Sequence, residues 1–204
     1  MPTRQDTLIV SLMAYGGLRP EEVLGLTWPD LRERVLNVDK AVAHGSVKRT
    51  KTEERRAVDI LGPLADDLEA HRKALKATPG PGAWVFPHSL DPSRPWSDSM
   101  YRNWRKRVFE PAAERAGLSD LVPYDLRRTF VSLLLSCGYR RGEVADQAGH
   151  SVAVMEKHYA VTIAEYRGVP LTDPDDAIRK ARAARVLQRR EEAERLNTAN
   201  PLEY

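Results

Sequence analysis

The stretch from Pro123 to Tyr159 constrains the fold of this chain more than any other. Its first helix begins at Pro123, has an apolar face and ends at Gly138. A short helix follows from Arg140 to Ala148, and a third helix carries Tyr159. Proline is favourable at the first position of a helix, and glycine just beyond its last position. Short helices with such breaks can bring the residues at their ends to one point.

Three residues at those ends suit chemistry on a phosphodiester. The planar guanidinium of Arg127 can bind two phosphate oxygens in parallel and keeps its charge. His150 can hydrogen-bond the same group near neutral pH, and Tyr159 supplies an oxygen nucleophile. Each residue alone means little, whereas the ordered set indicates a site for phosphodiesters. His158 precedes Tyr159, but adjacent helical residues point in different directions, so His150 is preferred as the catalytic histidine.

Four motifs in order resemble the catalytic domain of the tyrosine recombinases, or phage integrases. Leu-Arg-Arg-Thr-Phe around Arg127, the Gly-His pair at His150, and a tyrosine nine positions on (159 − 150 = 9) resemble the C-terminal half of that domain. Around Arg19, the run GGLRPEEVLGLTWPD resembles the first arginine box of the family, and RTKT around Lys51 resembles its strand-turn lysine motif. The motifs extend from Arg19 to Tyr159, which is most of the chain.

The resemblance implies a role for each residue of a catalytic set. Tyr159 attacks the phosphorus in line and leaves a 3′-phosphotyrosyl bond and a free 5′-hydroxyl, while arginine and histidine bind the nonbridging oxygens. Lys51 is implied as the general acid, and its choice over Lys48 rests on the Thr-Lys-Thr match alone. Glu22 is interpreted as a residue that orients or neutralises neighbouring arginines. The implied catalytic residues are Arg19, Lys51, Tyr124, Arg127, His150 and Tyr159.

Tyr124 departs from the family pattern, which usually has histidine three positions before the second arginine (127 − 3 = 124). A phenol with a pKa of about 10 is a poor general base at neutral pH. Its hydroxyl can still hydrogen-bond the phosphate or Tyr159, so we expect slower chemistry rather than none. Tyr124 is also a rival nucleophile on composition alone, although its place before Arg127 argues against that role.

The implied mechanism needs neither a cofactor nor a metal. The covalent intermediate retains the bond energy, so no nucleotide is required to reseal the strand. Cations of the protein neutralise the phosphate, and scattered acids such as Asp30 and Asp125 form no evident carboxylate set for two metals. Cys137 is the single cysteine of the sequence, which excludes a disulfide framework and a cysteine-based zinc site.

The overall charge is only mildly basic, so it does not establish nucleic-acid binding. Lys and Arg number 32 against 29 Asp and Glu, and the net charge is +3. Local patches matter more, and two are visible, one from Lys48 to Arg56 and one on a helix from Ser97 to Ala116. Each is a solvated face or a contact with DNA phosphates. The DNA-binding candidates are Lys48, Arg49, Arg55, Arg102, Arg105 and Arg128.

The predicted fold class is α+β, mainly α-helical with a small three-stranded antiparallel sheet near the N-terminus. Apolar alternation predicts the strands at residues 35–38, 41–43 and 56–60. Apolar residues at helical spacing predict further helices at residues 7–15, 20–26, 62–77 and 97–116. The resemblance implies the tyrosine recombinase catalytic-domain fold.

Residues 1–170 are predicted to form the catalytic domain, and residues 171–204 a charged helical tail. The helix from Asp173 to Leu196 has only a thin apolar stripe, and a free helix of this kind is marginal. It is therefore expected to dock. Two alternatives stay open: the helix packs on a neighbouring recombinase in a ring, as the resemblance implies, or it folds back on its own domain.

The expected partners follow from the family resemblance, and the expected location follows from the lack of a membrane-spanning or signal-peptide pattern in this sequence. No run approaches the roughly 20 apolar residues of a membrane span, and the N-terminus lacks the apolar core of a signal peptide. We expect a cytoplasmic protein, bacterial or phage-encoded, without membrane contact. Double-stranded DNA is the expected partner, with a monomer when free and a homo-tetramer on DNA. Relatives carry an N-terminal helical domain that this chain lacks, so weak DNA affinity is expected.

The predicted function is that of the catalytic domain of a site-specific DNA recombinase or integrase. Two alternatives remain. The chain can be a non-enzymatic DNA-binding or regulatory remnant of the same fold, although a remnant has no need of the whole catalytic set. It can also be a relaxase similar to type IB topoisomerases, which supercoil relaxation without strand exchange would identify.

Overall fold

The computed structural model describes residues 3–43, 46–49, 55–75 and 77–199, without the side chains of 193 and 196–199. A 3-10 turn, Trp28–Asp30, follows the second helix, and a π-helical turn, Arg105–Phe109, connects the fourth helix to the fifth. The helices are α1 (Arg4–Ala14), α2 (Pro20–Leu24), α3 (Gly62–Ala74), α4 (Asp98–Trp104), α5 (Glu110–Arg115), α6 (Pro123–Ser136), α7 (Arg141–Ala148), α8 (Val152–Glu165) and α9 (Pro174–Ala199). The strands are β1 (Val35–Val38), β2 (Lys40–Ala43), β3 (Ser46–Arg49) and β4 (Arg56–Asp59).

The strands form two antiparallel pairs, β1 with β4 and β2 with β3. Val38 pairs with Arg56 in the first ladder, and Lys40 pairs with Arg49 in the second. The predicted class, α+β and mainly helical with a small antiparallel sheet, is confirmed. The sheet differs in detail, because the described residues hold four strands in two pairs rather than three in one. All four residues of β3 are exposed, so that strand lacks the apolar alternation by which strands are predicted.

Helix α1 is the centre of the core and packs between α3 and α6. Leu64 of α3 and Phe130 of α6 close over it and are themselves fully buried. Removing a side chain of this size from water contributes about 1.5–3 kcal/mol. The buried side chains of α1 with no exposed surface are Leu8, Ile9, Leu12 and Met13. The position of α1 therefore determines where the chain enters the turn that precedes α2.

Gly17 makes the turn between α1 and α2. Its φ is +62°, which lies in the left-handed region that residues with a Cβ rarely adopt. A Cβ at this position would also overlap the ring of Phe130. Because both the backbone and the close packing require glycine, the turn holds α2, and Arg19 at its start, in one place relative to α6.

The three helices predicted between Pro123 and Tyr159 are present as α6, α7 and α8. Gly149 follows α7 with φ +61° and ends that helix. Within α8, Tyr159 departs from helical geometry with φ −122° and ψ 21°. The helix is therefore kinked at the residue predicted to be the nucleophile.

The first half of α9 packs on α1 and α3. Ile178 is 3% exposed, and Arg182 pairs with Asp67 at 2.6 Å. Further along the helix, Val186 and Leu187 are 53% and 58% exposed. These contacts favour the fold-back alternative for the first half of α9, whereas Val186 and Leu187 stay exposed. Among the described residues, no helix combines the length and the apolar character that crossing a bilayer requires.

Candidate active site

Arg127 lies at the base of the candidate site and is 1% exposed. It shares the inner face of α6 with Phe130. Its Nη1 donates to the carbonyl oxygen of Gly17, and its Nη2 donates to the carbonyl oxygen of Ala148. Nη2 also lies 3.1 Å from Nε2 of His150. A buried guanidinium needs such acceptors, and these join the turn before α2 to the end of α7.

The burial of Arg127 changes how it can act on a phosphate. Burial, followed by the charges of Arg19 and Arg56, lowers the pKa of Arg127 to about 10, so it remains a cation at neutral pH. Among the described residues, its Nε has no hydrogen-bond partner. The side chain is almost wholly enclosed, so a phosphate oxygen reaches this guanidinium only if the site rearranges. In the present conformation, Arg127 contributes positive charge from beneath the site.

Glu22 is a buried carboxylate, 3% exposed, that lies between two arginines. From Arg19 it accepts the backbone N–H and Nη1, each at 2.8 Å. From Arg56 it accepts Nη1 at 2.8 Å and Nη2 at 2.6 Å. Arg19 remains at the surface, with 36% of its side chain exposed, whereas the side chain of Arg56 is 5% exposed. Glu22 therefore holds one arginine that faces solvent and one that does not.

Arg56 is a site residue that the predicted set omits. In the sequence it belongs to the basic patch around the hairpin, but its Nε donates to the carbonyl oxygen of Gln147 at 2.8 Å. One signal could have identified it. Val58 is fully buried, and residues two apart in a strand share a face, so position 56 faces the interior as well. A charged residue at an inward position requires a buried partner.

His150 is neutral in this site. Burial, followed by the charges of Arg127 and Arg19, lowers the pKa of His150 to about 4. A guanidinium only donates hydrogen bonds, so Nε2 of His150 accepts from Arg127 and the proton resides on Nδ1. Within the described part of the chain, Nδ1 has no hydrogen-bond partner. His150 thus has one N–H donor that is buried and that no described residue uses.

Tyr159 lies beside His150, with 6.3 Å between the ring centroids and an interplanar angle of 32°. The side chain is half-buried. Burial raises the pKa of Tyr159, whereas the charges of Arg127 and Arg128 act in the opposite direction. The hydroxyl therefore stays protonated at neutral pH, next to cations that would stabilise its anion.

Tyr124 lies at the exposed rim of the same site and is 44% exposed. Burial acts to lower the pKa of Arg19, but the Glu22 carboxylate and then the Tyr124 hydroxyl raise that pKa, and the net change is upward. The phenol oxygen is therefore close to that guanidinium. Tyr124 also raises the pKa of Tyr159, so it is near both the first arginine and the predicted nucleophile.

Five of the predicted catalytic residues thus come together, and the sixth, Lys51, lies outside the described residues. Of the DNA-binding candidates, Arg128 is beside Tyr159 and forms an ion pair with Asp125 at 3.2 Å. Lys48, Arg49 and Arg55 are exposed on β3 and just before β4. Two candidates lie away from the catalytic cluster: Arg102 of α4 lines a cavity with α2 and β2, and Arg105 of the π-helical turn pairs with Glu110 at 3.1 Å.

The buried ionisable groups predict that stability falls in acid in two steps. The folded state keeps His150 neutral down to about pH 4, whereas the unfolded chain binds that proton below about 6.5. Burial raises the pKa of Glu22, but the hydrogen bonds and charge of Arg56 lower it to about 2. The ionised Glu22 contributes about 3 kcal/mol to the free energy of unfolding. This contribution is complete above the unfolded pKa of 4.5 and disappears as the pH falls towards 2.

Urea unfolding between pH 8 and pH 3 measures both steps. His71 contributes to the upper step in the same direction, because burial lowers its pKa. We therefore expect His150→Gln and His71→Gln each to reduce the loss of stability between about pH 6.5 and 4, and Glu22→Gln to reduce the loss below about pH 4.5. A wild-type free energy of unfolding that stays constant across these ranges would contradict the assigned protonation states.

A mainly helical domain that gathers two arginines, a histidine and a tyrosine is the architecture of tyrosine recombinase catalytic domains. The model of the phage integrase family matches residues 2–164, which is most of the chain. The chain belongs to the phage integrase family. No curated protein sequence matches it significantly.

Solved structures share the fold at low sequence identity. The Tn1549 transposon integrase (residues 82–397), solved with circular intermediate DNA, has 20% identity and a TM-score of 0.59, with 86% of this chain and 58% of that chain covered. XerA recombinase has 20% identity, a TM-score of 0.56, and coverage of 89% and 57%. XerH recombinase in a pre-cleavage complex with its difH substrate has 18% identity, a TM-score of 0.53, and coverage of 81% and 47%. This chain spans less than two thirds of each relative.

Proposed function

We propose that this chain is the catalytic domain of a site-specific DNA recombinase or integrase, which cleaves and rejoins DNA strands through a bond to Tyr159. The observation that carries the proposal is the position of Tyr159 beside neutral His150 and within the field of Arg127. Family membership supports the activity. The relatives solved with DNA support double-stranded DNA as the substrate.

The first step is an in-line exchange at phosphorus. The Oη of Tyr159 forms a bond to the scissile phosphorus, the bond to the 5′ oxygen breaks, and a 3′-phosphotyrosyl ester remains. The phenol proton passes to solvent water as the bond forms, and the departing 5′ oxygen takes up a proton. We assign that donation to Lys51 as general acid. The free 5′-hydroxyl of a partner strand then attacks the ester, which releases Tyr159 and rejoins DNA.

Charge accumulates on the nonbridging oxygens, and the site offers three means of stabilising it. Arg19 presents a guanidinium at the surface, which Glu22 holds in place. His150 donates from Nδ1 without carrying a charge, because burial and the neighbouring arginines keep it neutral. Arg127 supplies positive charge from below. Prearranged donors of this kind each contribute roughly 3–4 kcal/mol to such reactions.

The role we assign to Tyr124 is binding rather than proton removal. Its hydroxyl lies close to Arg19 and can donate to a phosphate oxygen that this arginine holds. The hydroxyl of a phenol is a very weak base, so it does not accept the proton of another phenol to any useful extent. The proton of Tyr159 therefore leaves without help from this position, and we expect slow cleavage.

Exposed arginines and lysines around the cluster provide the contacts with the DNA backbone. Arg128 acts on the charge of Tyr159, Lys48 and Arg49 lie on β3, and Arg55 comes just before β4. Such contacts fix the orientation of the protein without reading sequence. We propose that the chain is a monomer when free and assembles as a tetramer on DNA, with the exposed Val186 and Leu187 of α9 available to a neighbouring copy.

A suicide substrate, nicked near the scissile phosphate, tests the proposed activity. Candidate sites come from the DNA that flanks the gene, and the reaction contains EDTA. We expect a covalent protein–DNA adduct that survives denaturing electrophoresis, because loss of the short nicked strand traps the phosphotyrosyl ester. Absence of an adduct on sites that the protein binds would contradict the enzyme and favour a DNA-binding remnant. Supercoil relaxation without strand exchange would instead indicate a topoisomerase-like relaxase.

A further inference from the structure

We propose that Arg56 is a positioning residue, which holds Arg19 in its phosphate-facing direction through the carboxylate that the two arginines share. The inference rests on the proposed function, because it assigns Arg56 a part in that same site. Arg56 itself lies too deep to touch DNA, since 5% of its side chain is exposed. Any effect on the reaction must therefore pass through a neighbour.

The shared carboxylate is the first reason for this assignment. Oε1 of Glu22 accepts from Nη1 of Arg19 and from Nη1 of Arg56, each at 2.8 Å. The second Arg56 bond, from Nη2 to Oε2 at 2.6 Å, makes the pair bidentate, which fixes the plane of the carboxylate. Arg56, together with the backbone N–H of Arg19 that donates to Oε2 at 2.8 Å, thus determines the direction in which Glu22 presents Oε1 to the Arg19 guanidinium.

Contacts with the turn after α7 are the second reason. Arg56 donates from Nε to the carbonyl oxygen of Gln147 at 2.8 Å, and a Cβ on Gly149 would lie 3.0 Å from its Cδ. On the same turn, Nη2 of Arg19 donates to the carbonyl oxygen of Gly149 at 3.2 Å. One end of the Arg19 guanidinium donates to the Glu22 carboxylate, and the other end donates to the turn after α7. Arg56 donates to the same carboxylate and to the same turn, so it holds both acceptors in place.

The electrostatics give a third reason. Arg56 is among the causes that lower the pKa of both Arg127 and His150, so its charge opposes other cations of the site. A buried ion pair also loses hydration, and in many proteins an apolar replacement is as stable. Net electrostatic attraction between Arg56 and Glu22 is therefore a weak explanation for an arginine at position 56. The fork geometry, which reaches two carboxylate oxygens and one carbonyl at once, is the property that lysine lacks.

Arg56→Lys isolates this geometry, because it keeps the charge and removes the fork. We expect single-turnover cleavage of the suicide substrate at saturating protein to slow by about 10²-fold, as for a misplaced catalytic group. DNA affinity, measured by fluorescence anisotropy, is expected to change by no more than about twofold, because the side chain makes no DNA contact. In an Arg19→Ala background, the same substitution is expected to cost no more than about twofold, because the group it positions is gone.

Asp59→Ala is the matched control. Asp59 is on the same strand and contacts the same residue of α7, but through the side chain of Gln147 at 3.2 Å and without touching Glu22. Its cleavage rate is expected to equal that of the wild type. Wild-type speed in Arg56→Lys, or equal slowing with and without Arg19, would overturn the inference while leaving the proposed function in place. No adduct from the wild type would contradict both.

A second variant covers the case in which Arg56→Lys does not fold, which thermal unfolding reveals. Glu22→Gln combined with Arg56→Gln removes both buried charges together, so neither is left without a counter-ion. Arg19 then keeps its bond to Gly149 and loses the carboxylate. We expect this folded double variant to cleave about 10²-fold more slowly. Cleavage at the wild-type rate would overturn the positioning role.

Discussion

Tyr159→Phe is expected to abolish the covalent protein–DNA adduct completely. The substitution removes only the nucleophilic oxygen, and the ring keeps its position 6.3 Å from the ring of His150. Folding and DNA affinity are therefore expected to match those of the wild type. The measurement is adduct formation on the suicide substrate by denaturing electrophoresis, with anisotropy on the same DNA to confirm binding.

Two further tyrosines are the controls for this result. Tyr166 follows the end of α8 and lies outside the site, so Tyr166→Phe is expected to form the adduct as the wild type does. Tyr124→Phe is expected to form it more slowly, because Arg19 loses the neighbouring hydroxyl. If Tyr159→Phe still formed an adduct and Tyr124→Phe did not, the assignment of the nucleophile would be wrong.

Arg127→Ala is expected to lower both the cleavage rate and the stability. Loss of one stabilising group for the developing charge typically costs about 10²–10³ in rate. The substitution also leaves the buried carbonyl oxygens of Gly17 and Ala148 without this donor, at about 1–3 kcal/mol for each. Relief of repulsion with Arg19 and Arg56 offsets part of that cost. Urea unfolding and single-turnover cleavage measure the two effects separately.

Arg128→Ala, at the next position, is the matched control. The side chain of Arg128 is 65% exposed, so its removal is expected to change the free energy of unfolding by no more than about 0.5 kcal/mol. Its effect is expected on DNA affinity and on the dependence of that affinity on salt. Equal stability of Arg127→Ala and Arg128→Ala would contradict the buried contacts described for Arg127.

Helix positions were the most predictable part of this fold. Pro20, Pro123, Gly138 and Gly149 mark helix ends by their own backbone preferences, and the helices begin or end at or beside them. The exposed strand β3 was not predictable from pattern, because its side chains do not alternate between water and core. The α9 contacts were also beyond the sequence, since a thin apolar stripe does not specify the surface on which it packs.

The candidate site was predictable as a set of residue types, but not as an arrangement. Residue types and their order brought Arg127, His150 and Tyr159 into consideration, and the family resemblance added Arg19 and supplied the roles. The burial of Arg127, and its use of backbone carbonyls as partners, depend on the turn at Gly17 and on the end of α7. Those contacts are far apart in sequence, and no local pattern records them.

The turn at Gly17 has a consequence for how copies of such a gene decay during evolution. Glycine is required there by the backbone and by the ring of Phe130, and Glu22 and Arg127 are required by buried contacts. A copy that had lost its nucleophile would still lose stability if these residues changed. The two arginine motifs therefore trace ancestry, whereas Tyr159 and Lys51 are free to drift once selection for strand transfer ends. Surveys that count active copies in genomes should weigh that tyrosine above the arginine motifs.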